Sequence, residues 1–133
     1  MCIRDRIILG ATMGTLMMLN VWGIIWRNQK IVLGMKEGDV AKAAAKAGLA
    51  SRTNTLFSVP MLMYMVYSAH AQGSYLALDN WSATSLIIGL AIIFAIEANA
   101  IWGKMLPAIA SVRAVITSSF VLAVVFKIIT DLL

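Results

Sequence analysis

The chain has 133 residues, of which 61% are hydrophobic and 13% charged, with a formal net charge of +5. So little polar surface cannot cover a water-soluble globule, and apolar runs near 20 residues suit a hydrocarbon core about 30 Å thick. The basic residues cluster between the apolar runs, a pattern that orients membrane proteins, so nucleic acid is not an expected partner. The expected fold is all-α and integral to the lipid bilayer, with four transmembrane helices. Cys2 is the one cysteine, which excludes a disulfide framework, a CxxC metal pair and a CxxCH haem attachment.

The opening MCIRDR resembles the translated remnant of a sequencing adapter. Residues 1–6 are therefore set aside, and a truncated N-terminus with further helices upstream of Ile7 is expected. The first predicted span covers residues 7–26, interrupted by Asn20 and closed by Arg27, Asn28, Gln29 and Lys30. Gly10 and Gly14 share one of its faces, which allows close helix contact. Three more spans follow, so a signal peptide fits poorly. The connection MKEGDVAKAAAKAGLASR offers Asp39 as an N-cap and Gly48 as a stop. A short amphipathic surface helix is expected there, either as a solvated basic element that fixes topology or as a lipid-headgroup site.

The second predicted span, residues 53–71, holds Asn54 near its start, Pro60 inside and the lone histidine, His70, near its end. Proline has no N–H to donate, so the Leu56 carbonyl should be freed and the helix kinked. The third span, residues 82–103, carries Glu97 and Asn99, and the fourth, residues 107–129, carries Arg113 and Lys127. Trp22, Trp26, Tyr75, Trp81 and Trp102 sit near span ends, where aromatic rings favour the interface. Met13, Met17, Met18, Met61, Met63 and Met65 read as adaptable packing residues rather than a copper series.

Orientation follows from the basic residues. Arg27, Lys30, Lys36, Lys42, Lys46 and Arg52 lie between the first two spans, and Lys104 between the last two. Both loops are therefore expected in the cytoplasm and both chain ends in the periplasm. Glu97 and Arg113 then lie roughly 9 Å inside the same membrane face on neighbouring antiparallel helices. An unpaired charge at mid-bilayer costs roughly 2.5–3.5 kcal/mol on insertion scales, so an ion pair between them is one expectation. The other is a polar pocket near the inner leaflet, completed by Asn20, Asn54 and Asn99. His70 sits near the outer surface, as an interfacial residue or a ligand. No metal site is predicted within the chain. A haem would need a second ligand from a segment outside it or from another subunit of a homo-oligomer.

The stretch GTLMMLNVWGIIWRNQKIVLG, then ASRTNTLFSVPMLMYMVYSAH and NW, resembles the membrane domain of bacterial urate hydroxylases, also called the urate oxidase N-terminal domain. The similar positions are Gly14, Thr15, Asn20, Asn28, Gln29, Arg52, Asn54, Pro60, Ser68 and His70, over about half the chain. Arg27 stands where the family often has proline. The resemblance implies an inner-membrane oxidoreductase of purine catabolism that converts urate to 5-hydroxyisourate. Electrons would pass to a cytochrome c or another respiratory-chain component, and Asn54 and His70 would be catalytic. The competing reading is a nonenzymatic small membrane protein, transporter-like or an assembly subunit. In a proton-coupled transporter Glu97 would carry the proton, and a salt bridge to Arg113 would count against that role.

Overall fold

The structure, a computed structural model, describes residues 3–70 and 83–132. Those residues form helices only: α1 (Ile3–Leu19), a π-helical segment (Asn20–Ile25), α2 (Trp26–Val32), α3 (Val40–His70), α4 (Ala83–Trp102), α5 (Pro107–Ala110) and α6 (Val112–Leu132). Tyr75, Trp81 and the predicted start of the third span at Ser82 lie outside the described residues.

α1, the π segment and α2 form one rod. Within it the Trp26 N–H bonds the Val21 carbonyl five residues back, the wider π spacing that adds a residue to a turn. The rod ends in a Schellman cap. Gly34 takes φ +72°, while the N–H groups of Gly34 and Met35 bond the carbonyls of Ile31 and Lys30. Asp39 then caps α3 as its sequence position predicts, its Oδ1 accepting from the N–H groups of Ala41 at 3.0 Å and Lys42 at 3.2 Å.

Gly48 does not stop the helix. The expected surface helix and second span are one helix, Val40–His70. A helical glycine costs about 1 kcal/mol, and the buried Ala43, Ala47, Leu49 and Ala50 around it outweigh that.

Among the described residues three stretches are long and apolar enough to cross a membrane: Arg6–Val32, Ala83–Trp102 and Val112–Thr130. The expectation of four is corrected at α3, whose Asn54, Ser58, Tyr64, Tyr67 and His70 dilute its apolar character. The reason is its position. α3 is the hub, touching α1, the π segment, α2, α4, α5 and α6, so much of its surface meets protein rather than an outer medium. Its outward residues Leu62, Met65 and Val66 remain apolar.

The contacts set directions. Gly10 and Gly14 of α1 lie against Tyr64 and Met61 of α3, while Asn20 meets Asn54, so these helices are antiparallel. α6 runs parallel to α3, since Ser119 meets Leu56 and Tyr64 Oη donates to the Phe126 carbonyl at 3.3 Å. Leu9, Met13, Phe57, Tyr64, Ile93 and Phe126 form the main core. Met17, Met61 and Met63 pack against it, as gap-filling methionines do. At this end of the bundle Arg6 and Lys127 both lie over the Tyr67 ring, at 4.4 and 5.3 Å.

The fourth predicted span is also redrawn. Pro107–Ala110 is a separate turn, and Ser111 leaves helical geometry at φ −114°, ψ 160°. Its hydroxyl oxygen accepts from the Ala114 N–H at 3.1 Å and caps α6. Arg113 therefore stands in the first turn of α6, exposed, rather than a turn or more inside a span.

Pro60 leaves a gap in the α3 ladder that α6 fills. Ser119, 1% exposed, donates to the Leu56 carbonyl at 2.8 Å, with the Thr55 carbonyl 3.2 Å away. The Val59 N–H points at the same hydroxyl oxygen at 3.4 Å. Replacing Ser119 with Ala should therefore destabilise the protein by about 1–3 kcal/mol, the desolvation penalty of an orphaned carbonyl. Thr117→Ala should change stability little, because that hydroxyl bonds only the Arg113 carbonyl of its own helix. Unfolding in mild detergent makes the comparison, and equal losses would contradict this role for Ser119.

Candidate functional site

Asn20 falls on the first residue of the π segment and is 1% exposed. Its side chain points to the meeting place of the rod, α3 and α4. Nδ2 donates both hydrogens, to Asn54 Oδ1 at 3.0 Å and to Glu97 Oε2 at 3.0 Å. Asn54 in turn donates through Nδ2 to the Met17 carbonyl at 3.0 Å. Glu97 is 6% exposed. Three helical elements thus contribute one polar side chain each to a knot inside otherwise apolar packing.

Polar groups in such surroundings require hydrogen-bond partners, since a missing partner costs several kcal/mol in hydrocarbon. The knot satisfies that requirement without a cation. Among the described residues Glu97 makes no ion pair, and the expected Glu97–Arg113 salt bridge is absent. Ser111 restarts the helix and leaves Arg113 at its exposed first turn, which explains the difference. Asn99, also expected in the pocket, instead serves the end of α4. Its carbonyl accepts from the Gly103 N–H at 2.9 Å, and its amide lies 3.5 Å from the Lys104 carbonyl.

The chemistry available follows from what remains unused. Asn20 Oδ1 and the second oxygen of Glu97 accept no hydrogen bond from the described residues and keep acceptor capacity. A carboxyl group there can also exchange a proton. Asn54 and His70 do not form one site: they lie about 24 Å apart along the α3 axis. His70 closes α3, and its side chain lies outside the described residues.

No group of three or more His, Cys, Asp or Glu suited to a metal occurs among the described residues. In this chain a haem would need an axial ligand besides His70. His70 is its one histidine, and Met13, Met17, Met61 and Met63 are packed into or against the core rather than lining an opening. Sequence reasoning missed the π segment, which carries Asn20, and Ser119. The polar residue and Gly23 within one apolar run are the only signals for the former.

A double-mutant cycle checks the knot. Asn20→Ala and Glu97→Ala should be non-additive by about 0.5–3 kcal/mol, as expected for contacting residues. Glu97→Ala and Arg113→Ala should add to within about 0.5 kcal/mol. Coupling in the second pair and not the first would overturn the geometry.

Comparison with curated proteins and with solved structures gives no match. The sequence model of one family, described as Urate oxidase N-terminal, matches residues 5–130. That span takes in α3, α4, α5 and nearly all of the rod and of α6, including every member of the polar knot. The chain belongs to the urate oxidase N-terminal family.

Proposed function

We propose that this chain is the membrane-embedded part of a urate-hydroxylase-like oxidoreductase of purine catabolism. The observation that carries the reading is the Asn20–Asn54–Glu97 knot in a chain of this family. Urate plus water gives 5-hydroxyisourate, two protons and two electrons. The electrons leave to a cytochrome c or another respiratory-chain acceptor, and no step is assigned to a haem held by this chain. Urate presents several N–H donors, which Asn20 Oδ1 and the free Glu97 oxygen complement. Glu97 takes a proton from urate or from the attacking water, and Asn54 positions Asn20. His70, at the other end of α3, is proposed as a separate proton-transfer residue near the opposite surface.

The same reading puts the protein in the bacterial inner membrane with both termini in the periplasm, following Lys104 and the basic residues where the rod passes into α3. It takes α3 across the bilayer with the three apolar stretches, shielded by its neighbours. Acceptor proteins would then dock on the periplasmic side, and a homo-oligomer is compatible with the exposed apolar faces of α4 and α6.

A second reading draws on one observation. Glu97 is held by an amide and not by a cation, which leaves it able to load and unload a proton in a coupled transporter.

Membranes containing the protein should reduce ferricytochrome c in response to urate. The rate should fall at least tenfold in Glu97→Gln and Asn54→Ala, a loss in the general acid–base and positioning range. His70→Ala should lower it independently. Full urate turnover by all three inserted variants would remove these residues from the chemistry. Proton-driven flux in proteoliposomes without urate oxidation would favour the transporter.

A further inference from the structure

A cavity of about 300 Å³ opens at the end of the bundle that holds the knot, and Gly23, Ile24, Arg27, Asn28, Lys36 and Lys46 line it together with Ile31 and Ile101. Ile24 and Ile101 stand four residues beyond Asn20 and Glu97 on the same elements. The cavity is thus a turn away from the knot and distinct from it.

Its charge is one-sided. Arg27 comes from α2, Lys36 from the connection and Lys46 from α3, and no carboxylate is in the wall. Among the described residues none of these three cations has an ion-pair partner. Asp39, the nearby acid that does pair, lies 3.5 Å from Lys42 instead. Three like charges around one opening repel one another, and that cost falls when an anion sits between them.

The convergence is built rather than incidental. The Schellman cap at Gly34 turns the chain back. Gly38 then rests on Ile31 so closely that a Cβ there would lie 3.0 Å from Ile31 Cγ2. Asp39 starts α3 immediately afterwards. Together these bring Lys36 and, from α3, Lys46 to the same opening. Asn28 is fixed as well, its Nδ2 donating to the Ile24 carbonyl at 2.7 Å, which leaves its second amide hydrogen for a ligand.

The surroundings indicate the level in a bilayer. Trp22, Trp26 and Trp102 are 69%, 54% and 81% exposed around this end of the bundle, as interfacial tryptophans at headgroup depth are. The inner wall is apolar, through Ile24, Ile31 and Ile101.

We propose that this cavity is an anion site for a phosphate ester, held by Arg27, Lys36, Lys46 and Asn28. Guanidinium and ammonium groups supply the charge-assisted hydrogen bonds that phosphate oxygens accept. The headgroup of an anionic phospholipid and a soluble phosphate ester share that chemistry. The proposal stands independently of the urate reading.

The test uses the full chain in dodecyl maltoside. Native mass spectrometry reads the lipid retained from phosphatidylglycerol or phosphatidylcholine, and thermal unfolding is followed with glycerol 3-phosphate or inorganic phosphate. Phosphatidylglycerol should be retained over phosphatidylcholine, with roughly fivefold loss per cation neutralised in R27Q, K36Q and K46Q. K42Q and K104Q, basic changes outside the cavity, should leave retention unchanged. Stabilisation by glycerol 3-phosphate or phosphate, lost in the same three variants, would identify a soluble ester as the occupant. Should R27Q or K36Q not fold, K46Q alone and weakening of binding by added salt carry the test. Equal retention of both lipids with no effect of the soluble phosphates overturns the proposal. So does an equal loss in K42Q and K104Q.

Discussion

The amide of Asn20 is the constraint on which the rest of the molecule depends. It sends one hydrogen to α3 and the other to α4, so three elements must meet at one height with fixed rotations. A carboxyl group in apolar packing tolerates few arrangements, and this one supplies an amide donor rather than a positive charge. Once Asn20, Asn54 and Glu97 meet, the antiparallel register of the rod and α3 follows. Gly10 and Gly14 then lie against Tyr64 and Met61. The π segment serves the same end, because its extra residue per turn falls where Asn20 has to turn inward.

A second polar join fixes α6. Pro60 takes a donor out of the α3 ladder, and Ser119 fills the vacancy from the neighbouring helix. Among the described residues, hydrogen bonds thus tie the helices at the knot, at Ser119 and where Tyr64 meets the Phe126 carbonyl, with side-chain packing around them. In a bilayer, where apolar contact between helices has little advantage over contact with lipid tails, such joins and close packing decide which helices associate. The central helix carries a partner in each of these joins, which is why it is less apolar than its neighbours.

Much of this was legible in the sequence, for identifiable reasons. The span positions of Asn20, Asn54 and Glu97 point to one polar pocket near the inner leaflet, and the structure brings those three together. The freed Leu56 carbonyl followed from Pro60 alone, and the Asp39 cap from its place before an alanine-rich stretch. What depth counting cannot supply is rotation and continuity. Pro107 reads as the start of a span that would hold Arg113. Ser111, whose position before an apolar run is itself a cap signal, begins the helix instead and leaves Arg113 exposed. Asn99 shares the helix of Glu97 but turns to the C-terminal end, where Gly103 and Lys104 occupy it. Gly48 reads as a stop because local propensity favours one, and burial of its alanine neighbours prevails. Ser119 gave no local signal, since its role exists only across two helices.

The most direct measurement is a distance in lipid. Rotational-echo solid-state NMR on the protein in bilayers, with ¹⁵N in asparagine side chains and ¹³C in glutamate carboxyls, reads whether Asn20 Nδ2 and Glu97 Cδ are neighbours. The structure predicts dephasing for a separation under about 4 Å, as a hydrogen bond of 3.0 Å to Oε2 requires. The signal should vanish in Asn20→Ala. A Glu97 carboxyl that dephases instead against labelled arginine guanidinium, and loses that signal in Arg113→Ala, would contradict the arrangement on which this account of the site rests.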